Sequence, residues 1–87
     1  MVDVLVYSTS SCPFCVMAFR LLDSKGLGYD VVDVGQNPEL WAEMESKSGR
    51  QTVPQIFIGD HHVGGFDDLS RADSRGEIES LLKDVLN

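Results

Sequence analysis

Residues 2–22, VDVLVYSTSSCPFCVMAFRLL, hold a run of β-branched and aromatic residues, two cysteines and an apolar pattern with helical spacing. The run from Val2 to Ser8 is typical of a buried strand, since such residues pack well on a pleated sheet. Residues 10–12 offer an N-terminal cap, and Pro13 suits the first helical position because no amide hydrogen is needed there. The stretch therefore predicts a strand that passes directly into a helix, with both cysteines at the junction.

The rest of the chain continues this alternation of strands and helices. The elements predicted after the first helix are a strand over 29–34, a helix from Pro38 that ends at Gly49, a strand over 55–58, a strand over 61–63, a short helix from Asp67 and a terminal amphipathic helix over 78–85. A helix joins the first two strands, so these strands should be parallel with a right-handed crossover. Gly59-Asp60 is a hairpin turn, which makes the last two strands antiparallel. We therefore predict one domain over residues 1–87, an α/β fold whose four-stranded mixed β-sheet is flanked by helices on both faces.

The composition argues against several classes of partner. Lys+Arg 7 against Asp+Glu 14 gives a net charge of −7, which repels nucleic acid and anionic membrane surfaces. No apolar run approaches the roughly 20 residues needed to cross a bilayer. The amino terminus has neither a basic stretch nor a separate apolar region, so we expect no secretory signal and a cytoplasmic location.

The two cysteines, Cys12 and Cys15, are the residues that suggest a chemistry. A disulfide scaffold would spread its cysteines along the chain, and a structural zinc site would need a second ligand pair. At the start of a helix, free amide groups and the helix dipole favour thiolate over thiol, and the thiolate is the species that attacks a disulfide. We therefore predict that Cys12 is the nucleophile and that Cys15, one turn further and more buried, is the resolving thiol.

Two other interpretations of the cysteines stay open from the residues alone. They can be inert core residues, because free cysteine is among the most buried residue types. They can also join His61 or His62 in a zinc site, although neighbouring residues on a strand point to opposite faces of the sheet. A CxxC pair at a strand-to-helix junction is a recognised redox signature, so we favour redox chemistry and expect no metal.

Three blocks of sequence together resemble the dithiol glutaredoxins, and in particular their short bacterial-type members. The blocks are Ser11-Cys12-Pro13-Phe14-Cys15, Thr52-Val53-Pro54 and Gly64-Gly65-Phe66-Asp67-Asp68. The resemblance covers nearly the whole chain and implies a thioredoxin-like fold. It also implies glutathione as the reducing co-substrate, with no tightly bound cofactor.

The resemblance further implies a set of partners. The substrates would be glutathionylated proteins and protein or small-molecule disulfides, with ribonucleotide reductase among the candidates. Glutathione reductase would act indirectly, by keeping glutathione reduced. We expect the protein to act as a monomer.

The same resemblance implies a glutathione site. Its members would be Phe14, Arg50, Thr52, Val53, Pro54, Gly65, Phe66 and Asp67. Pro54 would be a cis-proline facing the cysteines, and the Val53 backbone would pair with the cysteinyl part of glutathione as an added strand does. The amides of Phe66 and Asp67, at a helix start, would bind the γ-glutamyl carboxylate. Arg50 would meet the glycyl carboxylate, although an arginine at such a position is most often a solvated surface charge.

One departure from the family pattern carries an expectation of its own. Members of the family commonly have a lysine shortly before the first cysteine, whereas residues 7–11, YSTSS, contain no cation. Glutathione and this chain are both negatively charged, so we expect either weaker glutathione affinity or a less strongly favoured Cys12 thiolate than in relatives that have the lysine.

Two alternative functions follow from the same fold class. A small redoxin reduced by the flavoenzyme thioredoxin reductase would share the size and the CxxC pair. A carrier of a [2Fe–2S] cluster would bind the cluster between two subunits through the first cysteine and glutathione. Pro13 and Cys15 disfavour the cluster, which is associated with a Cys-Gly-Phe-Ser sequence.

Overall fold

The structure, a computed structural model, describes the backbone of residues 4–86 and the side chains of residues 4–82. Its elements, in chain order, are β1 (Val4–Ser8), α1 (Pro13–Ser24), β2 (Asp30–Asp33), α2 (Pro38–Ser48), β3 (Gln55–Ile58), β4 (His61–Gly64), α3 (Phe66–Ser74) and α4 (Glu77–Leu86). All of the predicted strands and helices are present. Residues 2 and 3 of the first predicted strand lie outside the described residues, as does the side chain of Val85.

The four strands form one mixed sheet in the order β2-β1-β3-β4. β1 is parallel to β2, whereas the β1–β3 and β3–β4 pairs are antiparallel. Tyr7 near the end of β1 pairs with Gln55 at the start of β3, and Gly64 at the end of β4 pairs with Ile56. The segments that follow β1, precede β3 and follow β4 therefore meet at one edge of the sheet.

Each face of the sheet carries its own hydrophobic core, which confirms helices on both faces. The larger core packs α1, α3 and α4 on one face, and its buried residues are Val4, Val6, Ala18, Leu22, Ile56, Ile58, Leu69, Ala72 and Ile78. The smaller core packs α2 on the other face, and its buried residues are Tyr7, Val34, Met44 and Phe57. Alternate residues of β1 divide between the two cores because side chains along a strand point to opposite faces. Helices therefore cover both faces of the sheet.

The helix starts follow the sequence signals closely. Cys12 is the N-cap of α1 and Pro13 its first residue, while Asn37 caps α2 through bonds from the amides of Glu39 and Leu40 to its side-chain oxygen. α2 ends at Gly49, whose φ of 71° lies in the left-handed region that glycine tolerates. The sequence signals thus predicted how α1 and α2 begin.

The second strand is shorter than predicted, by one residue at each end. The Tyr29 ring stacks on Phe19 at 5.5 Å between centroids, and this contact turns the residue towards α1 before the strand begins. At the other end the Asp33 carboxylate accepts a hydrogen bond of 2.8 Å from the Gly35 amide, which closes a turn. A contact with α1 thus precedes the strand, and a turn closed by its last residue follows it.

Candidate active site

Cys12 lies where α1 begins, and its sulfur is held by two backbone groups. The Cys12 Sγ accepts a hydrogen bond from the Cys15 amide at 3.3 Å, and as a thiol it lies 3.7 Å from the Val53 carbonyl oxygen. The side chain is half-buried, so one side of the sulfur stays accessible. An accessible sulfur at the positive end of a helix dipole is well placed to act as a nucleophile.

Cys15 is in a different environment, although it is one turn away on the same helix. It is 1% exposed and belongs to the buried interior. Burial, followed by the hydrogen bond with Cys12, raises the pKa of the Cys15 thiol to about 12. At neutral pH Cys15 is therefore a protonated thiol. The prediction that Cys15 is the more buried of the two is confirmed.

The segment Thr52-Val53-Pro54 lies opposite Cys12 and contains a cis peptide bond between Val53 and Pro54, as predicted. The fully buried Gln55 holds this segment: its side-chain amide donates to the Thr52 carbonyl oxygen at 3.0 Å and to the Thr52 hydroxyl at 3.1 Å. The amide oxygen of Gln55 is 2.7 Å from His62 Nε2. Gln55 thus links the segment next to Cys12 to strand β4.

His62 is the inner member of the histidine pair. Its ring packs on Phe57 at 4.8 Å between centroids, whereas His61 is exposed. Burial, and to a smaller extent the charge of Arg50, lowers the pKa of His62. The structure thus places one ring inward and one outward, as the strand periodicity predicted.

The start of α3 forms the third side of the site. Gly65 is the N-cap, and its amide donates to the Asp68 carboxylate at 3.0 Å. The same oxygen, Oδ2, accepts a hydrogen bond of 2.8 Å from Arg50 Nη1. The hydrogen bond from Arg50, followed by that from Gly65, lowers the pKa of Asp68, which is therefore ionised at neutral pH.

Gly64 makes this arrangement possible. Its φ is +119°, a conformation that residues with a side chain rarely adopt. A Cβ atom at this position would also lie 2.7 Å from Asp68 Cγ and overlap its Oδ2. Asp68 can reach the Gly65 amide only because residue 64 has no side chain.

These segments enclose a cleft with a volume of about 210 Å³ beside Cys12. All eight residues predicted to bind glutathione line it, namely Phe14, Arg50, Thr52, Val53, Pro54, Gly65, Phe66 and Asp67, and Asp68 lines it as well. The Phe14 and Phe66 rings, 6.5 Å apart between centroids, form one wall. The structure thus brings the predicted residues together, while their role in binding glutathione stays a prediction.

Comparison with known proteins now decides the family. The family model described as Glutaredoxin matches residues 4–63 of the chain. The chain belongs to the glutaredoxin family. It is 48% identical to a glutaredoxin of Neisseria meningitidis serogroup A over 83 residues, which cover 94% of the chain and 98% of the relative. It is 45% identical to glutaredoxin 3 of Escherichia coli K12, with 95% and 100% covered.

Solved glutaredoxin structures agree with this assignment. A glutaredoxin from Brucella melitensis superposes with a TM-score of 0.83 at 51% identity, covering 95% of this chain and 90% of that one. A buckwheat glutaredoxin solved in complex with glutathione gives a TM-score of 0.87 at 26% identity, covering 97% and 79%. The fold is therefore thioredoxin-like, and the chain is a glutaredoxin-type thiol–disulfide oxidoreductase that uses glutathione.

Two residues of this glutaredoxin site were not predicted as site residues. Asp68 belongs to the third block of the resemblance but not to the predicted glutathione site; its spacing from Gly65 is the signal, because an acid at the third helical position can reach back to the N-cap amide. Gln55 is predicted only as part of a strand. A polar residue in the apolar run Gln55–Ile58 is the signal that a buried hydrogen-bond partner exists nearby.

Two further findings concern metal ions and membranes. Among the side chains described, no group of three or more His, Cys, Asp and Glu is placed to hold a metal ion. His62, the inner histidine, is engaged by Gln55. None of the helices within residues 4–86 is long and apolar enough to cross a membrane.

Proposed function

We propose that Cys12 of this glutaredoxin removes glutathione from protein–glutathione mixed disulfides, and that Cys12 and Cys15 together reduce protein disulfides. The observation that carries the proposal is the position of the Cys12 sulfur. It caps α1, 3.3 Å from the Cys15 amide, and faces the Val53 carbonyl at the edge of the cleft. A sulfur in that position can form a disulfide with a thiol seated in the cleft.

The first reaction needs Cys12 alone. Its thiolate attacks the glutathione sulfur of the mixed disulfide, a Cys12–glutathione disulfide forms, and the substrate protein leaves as a thiolate. A second glutathione thiolate then attacks the glutathione sulfur on Cys12, which releases oxidised glutathione and restores the Cys12 thiolate. Glutathione reductase returns the product to the reduced pool, so it is an indirect partner.

The cleft offers a matching group for each part of glutathione. The Val53 backbone, opposite the Cys12 sulfur, can pair with the cysteinyl residue as an added strand does. The γ-glutamyl carboxylate suits the first amides of α3, at Phe66 and Asp67, because amides in the first turn of a helix have no intrahelical acceptor. Arg50 also lines the cleft and is the cation that would meet the glycyl carboxylate.

Cys15 enters when the substrate is a protein disulfide. Burial is the largest cause that raises the pKa of Cys15, and the hydrogen bond with Cys12 and the charge of Cys12 raise it further. The two contributions from Cys12 disappear once its sulfur is part of a mixed disulfide, so the pKa of Cys15 is lower in that intermediate than in the reduced protein. Cys15 then attacks the Cys12 sulfur as the thiolate and releases the reduced substrate.

The proposal also covers the location, the domain organisation, the oligomeric state and the substrates of the protein. We place the protein in the cytoplasm, because glutathione-linked dithiols act where the glutathione pool is kept reduced. We propose that residues 1–87 act as one domain and as a monomer. Its substrates would be glutathionylated or disulfide-containing proteins, with ribonucleotide reductase as a candidate. The proposal of one domain is supported by the match of this chain along 98% or more of the N. meningitidis and E. coli glutaredoxins.

The test is the reduction of hydroxyethyl disulfide by glutathione, coupled to glutathione reductase and followed as NADPH loss. We expect turnover by the wild type, none by Cys12→Ser, and retained turnover by Cys15→Ser, which would fail only on a protein disulfide. Cys12→Ser and Cys15→Ser remove the same atom one turn apart, so each is the matched control of the other. If the wild type turned over only with thioredoxin reductase and not with glutathione, the proposal would be wrong.

A further inference from the structure

A second groove lies between the end of β2 and the first turn of α2. It has a volume of about 380 Å³, and its lining consists of Val34, Gly35, Gln36, Asn37, Pro38 and Trp41. The indole of Trp41, the single tryptophan of the chain, is half-buried there. None of these residues lines the cleft beside Cys12. We call this feature the Trp41 groove.

The strand order places the Trp41 groove next to the cysteines, on the side away from the cleft. β1 lies between β2 and β3, so the loop from Thr9 to Cys12 lies between the segment that follows β2 and the segment that precedes β3. The Val34 amide donates a hydrogen bond of 2.9 Å to the Ser8 carbonyl oxygen. A Cβ atom on Gly35 would lie 3.4 Å from the Thr9 side chain. The groove and the cleft therefore flank the cysteines on two sides.

The surface around the Trp41 groove is strongly acidic. Residues 30–46 contain no lysine or arginine and five acids, namely Asp30, Asp33, Glu39, Glu43 and Glu45. None of the ion pairs between described side chains involves these five carboxylates. The cation of α2, Lys47, is at the other end of the helix, where it lines a separate cavity with Asp60. Residues 30–46 therefore account for −5 of the net charge of −7.

This combination fits a polypeptide better than it fits glutathione. An apolar groove can take an apolar side chain, while the surrounding carboxylates attract lysine or arginine next to that side chain. Glutathione is itself an anion, and the same carboxylates repel it. When glutathione lies in the cleft, the protein part of a mixed disulfide must lie elsewhere within reach of Cys12. The Trp41 groove is a surface of suitable chemistry on the free side of the cysteines.

We propose that the Trp41 groove docks the polypeptide part of protein substrates, and that it favours a segment in which an apolar side chain and lysine or arginine lie near the reactive cysteine. This inference rests on the proposed function, because docking serves the attack by Cys12. It adds selection among protein substrates by a surface outside the cleft.

The first experiment compares three nine-residue peptides whose central cysteine carries glutathione. One has leucine and lysine on both sides of the cysteine, the second has glutamate in place of lysine, and the third has serine in place of leucine. Four extended residues span about 13 Å, and Thr9 and Cys12 are at most about 11 Å apart between Cα atoms, so the peptides are long enough. Attack by Cys12 on the glutathione sulfur releases the peptide thiol, which is measured by chromatography after acid quench in single turnover.

We expect the lysine–leucine peptide to react at least about threefold faster than the glutamate peptide, because one exposed ion pair is worth a factor of about 1.4 to 5. Its rate should exceed that of the serine peptide about fourfold, the effect of roughly one methylene group withdrawn from water. Absence of either preference would overturn the inference and leave the proposed function intact. If Cys12 released thiol from none of the peptides, the proposed function itself would be overturned.

Glu39→Gln separates the groove from the general charge of the chain. Glu39 is exposed in the first turn of α2, next to Pro38. Asp60→Asn makes the same change in charge at an exposed position in the β3–β4 turn, at the opposite edge of the sheet. We expect Glu39→Gln to reduce the preference for lysine about twofold and Asp60→Asn to leave it unchanged. Equal effects of the two variants would overturn the role given to the groove.

The second experiment uses Trp41 to report occupancy of the groove. In Cys15→Ser, Cys12 attacks the peptide sulfur of a peptide–thiopyridyl disulfide, pyridine-2-thione leaves, and the peptide stays attached because no resolving thiol remains. The same variant with glutathione on Cys12 is the matched control. We expect weaker acrylamide quenching of Trp41 fluorescence in the lysine–leucine adduct, because the peptide covers the indole. Equal quenching in both adducts would overturn the inference, and failure to form the glutathione adduct would overturn the proposed function.

Discussion

Replacing Gly64 by alanine tests how the start of α3 is built. Gly64 has a φ of +119°, and a Cβ atom there would lie 2.7 Å from Asp68 Cγ and 2.9 Å from Asp68 Cβ. Both distances are shorter than atoms of this kind normally approach, so Asp68 must move. Gly64→Ala therefore combines a backbone penalty with the loss of the Asp68 contacts to Gly65 and Arg50.

The size of the effect follows from these two parts. A sparsely populated backbone conformation costs about 1–3 kcal/mol. The displaced hydrogen bond to the Gly65 amide adds about 0.5–1.5 kcal/mol, and the exposed pair with Arg50 adds less. We expect Gly64→Ala to lower the free energy of unfolding by about 2–4 kcal/mol, a large part of the total for a domain of this size.

Urea denaturation followed by circular dichroism measures this change, with two other glycines as controls. Gly76 has a φ of +71° but no atom within 4 Å of an added Cβ, so Gly76→Ala gives the cost of a left-handed backbone without a steric clash, about 1–2 kcal/mol. Gly28 has neither a positive φ nor a close atom, so Gly28→Ala should be neutral or slightly stabilising. If Gly64→Ala were no more destabilising than Gly76→Ala, the argument from the Asp68 contact would be refuted.

Four further predictions concern the two cysteines, Gln55 and Phe14. The pKa of Cys15 is raised from about 9 to about 12, so the unfolded chain ionises first and the fold loses stability as the pH rises through this range. Urea titrations at pH 8.5 and 10.5 should show a loss that is smaller in Cys15→Ala, where the raised pKa values of Tyr7 and Tyr29 still act in the same direction; an equal loss in both would contradict the assignment to Cys15. At pH 8, iodoacetamide should modify Cys12 and leave the native Cys15 thiol unmodified, as mass spectrometry of peptides would show; modification of both at similar rates would be the contrary result. Gln55→Leu should destabilise the fold by about 1–3 kcal/mol through lost buried hydrogen bonds and should raise the KM for glutathione, because the Thr52 segment is released; an unchanged KM would separate Gln55 from the site. Phe14 is 55% exposed, so Phe14→Ala should leave the urea midpoint unchanged and should slow the reaction of Cys12 with a peptide–glutathione mixed disulfide severalfold. A loss of stability without an effect on this rate would assign the ring to packing.

Much of the fold could be predicted because its signals are local. Pro13 and Pro38 mark the helix starts, Gly49 ends a helix, and the Gly59-Asp60 turn joins β3 to β4. Each of these residues has a conformational preference that holds whatever surrounds it. The limits of β2 were less accurate, because the stacking of Tyr29 on a residue of α1 is a tertiary contact that no short window contains.

The sequence predicted which residues form the site, but not which of their side chains contact one another. Eight of the nine residues that line the cleft are implied by the resemblance to a family, and the structure brings them to one place. The Arg50–Asp68 pair joins residues 18 positions apart, and the bond between Gln55 and His62 crosses a hairpin. Which side chains pair across such separations depends on strand register, and register is fixed only when the whole sheet forms.

The two sides of the site are far apart along the chain, so one is synthesised well before the other. Cys12 meets Val53 across 41 positions, and α1 is only 12 residues long. An isolated helix of that length is marginal in water, so a nascent chain that has exposed its cysteines but not yet residue 53 carries an ordinary pair of thiols. Those thiols gain their distinct roles in the same step in which the sheet closes. Selection of what reaches the Cys12 sulfur therefore begins only when the cleft has formed.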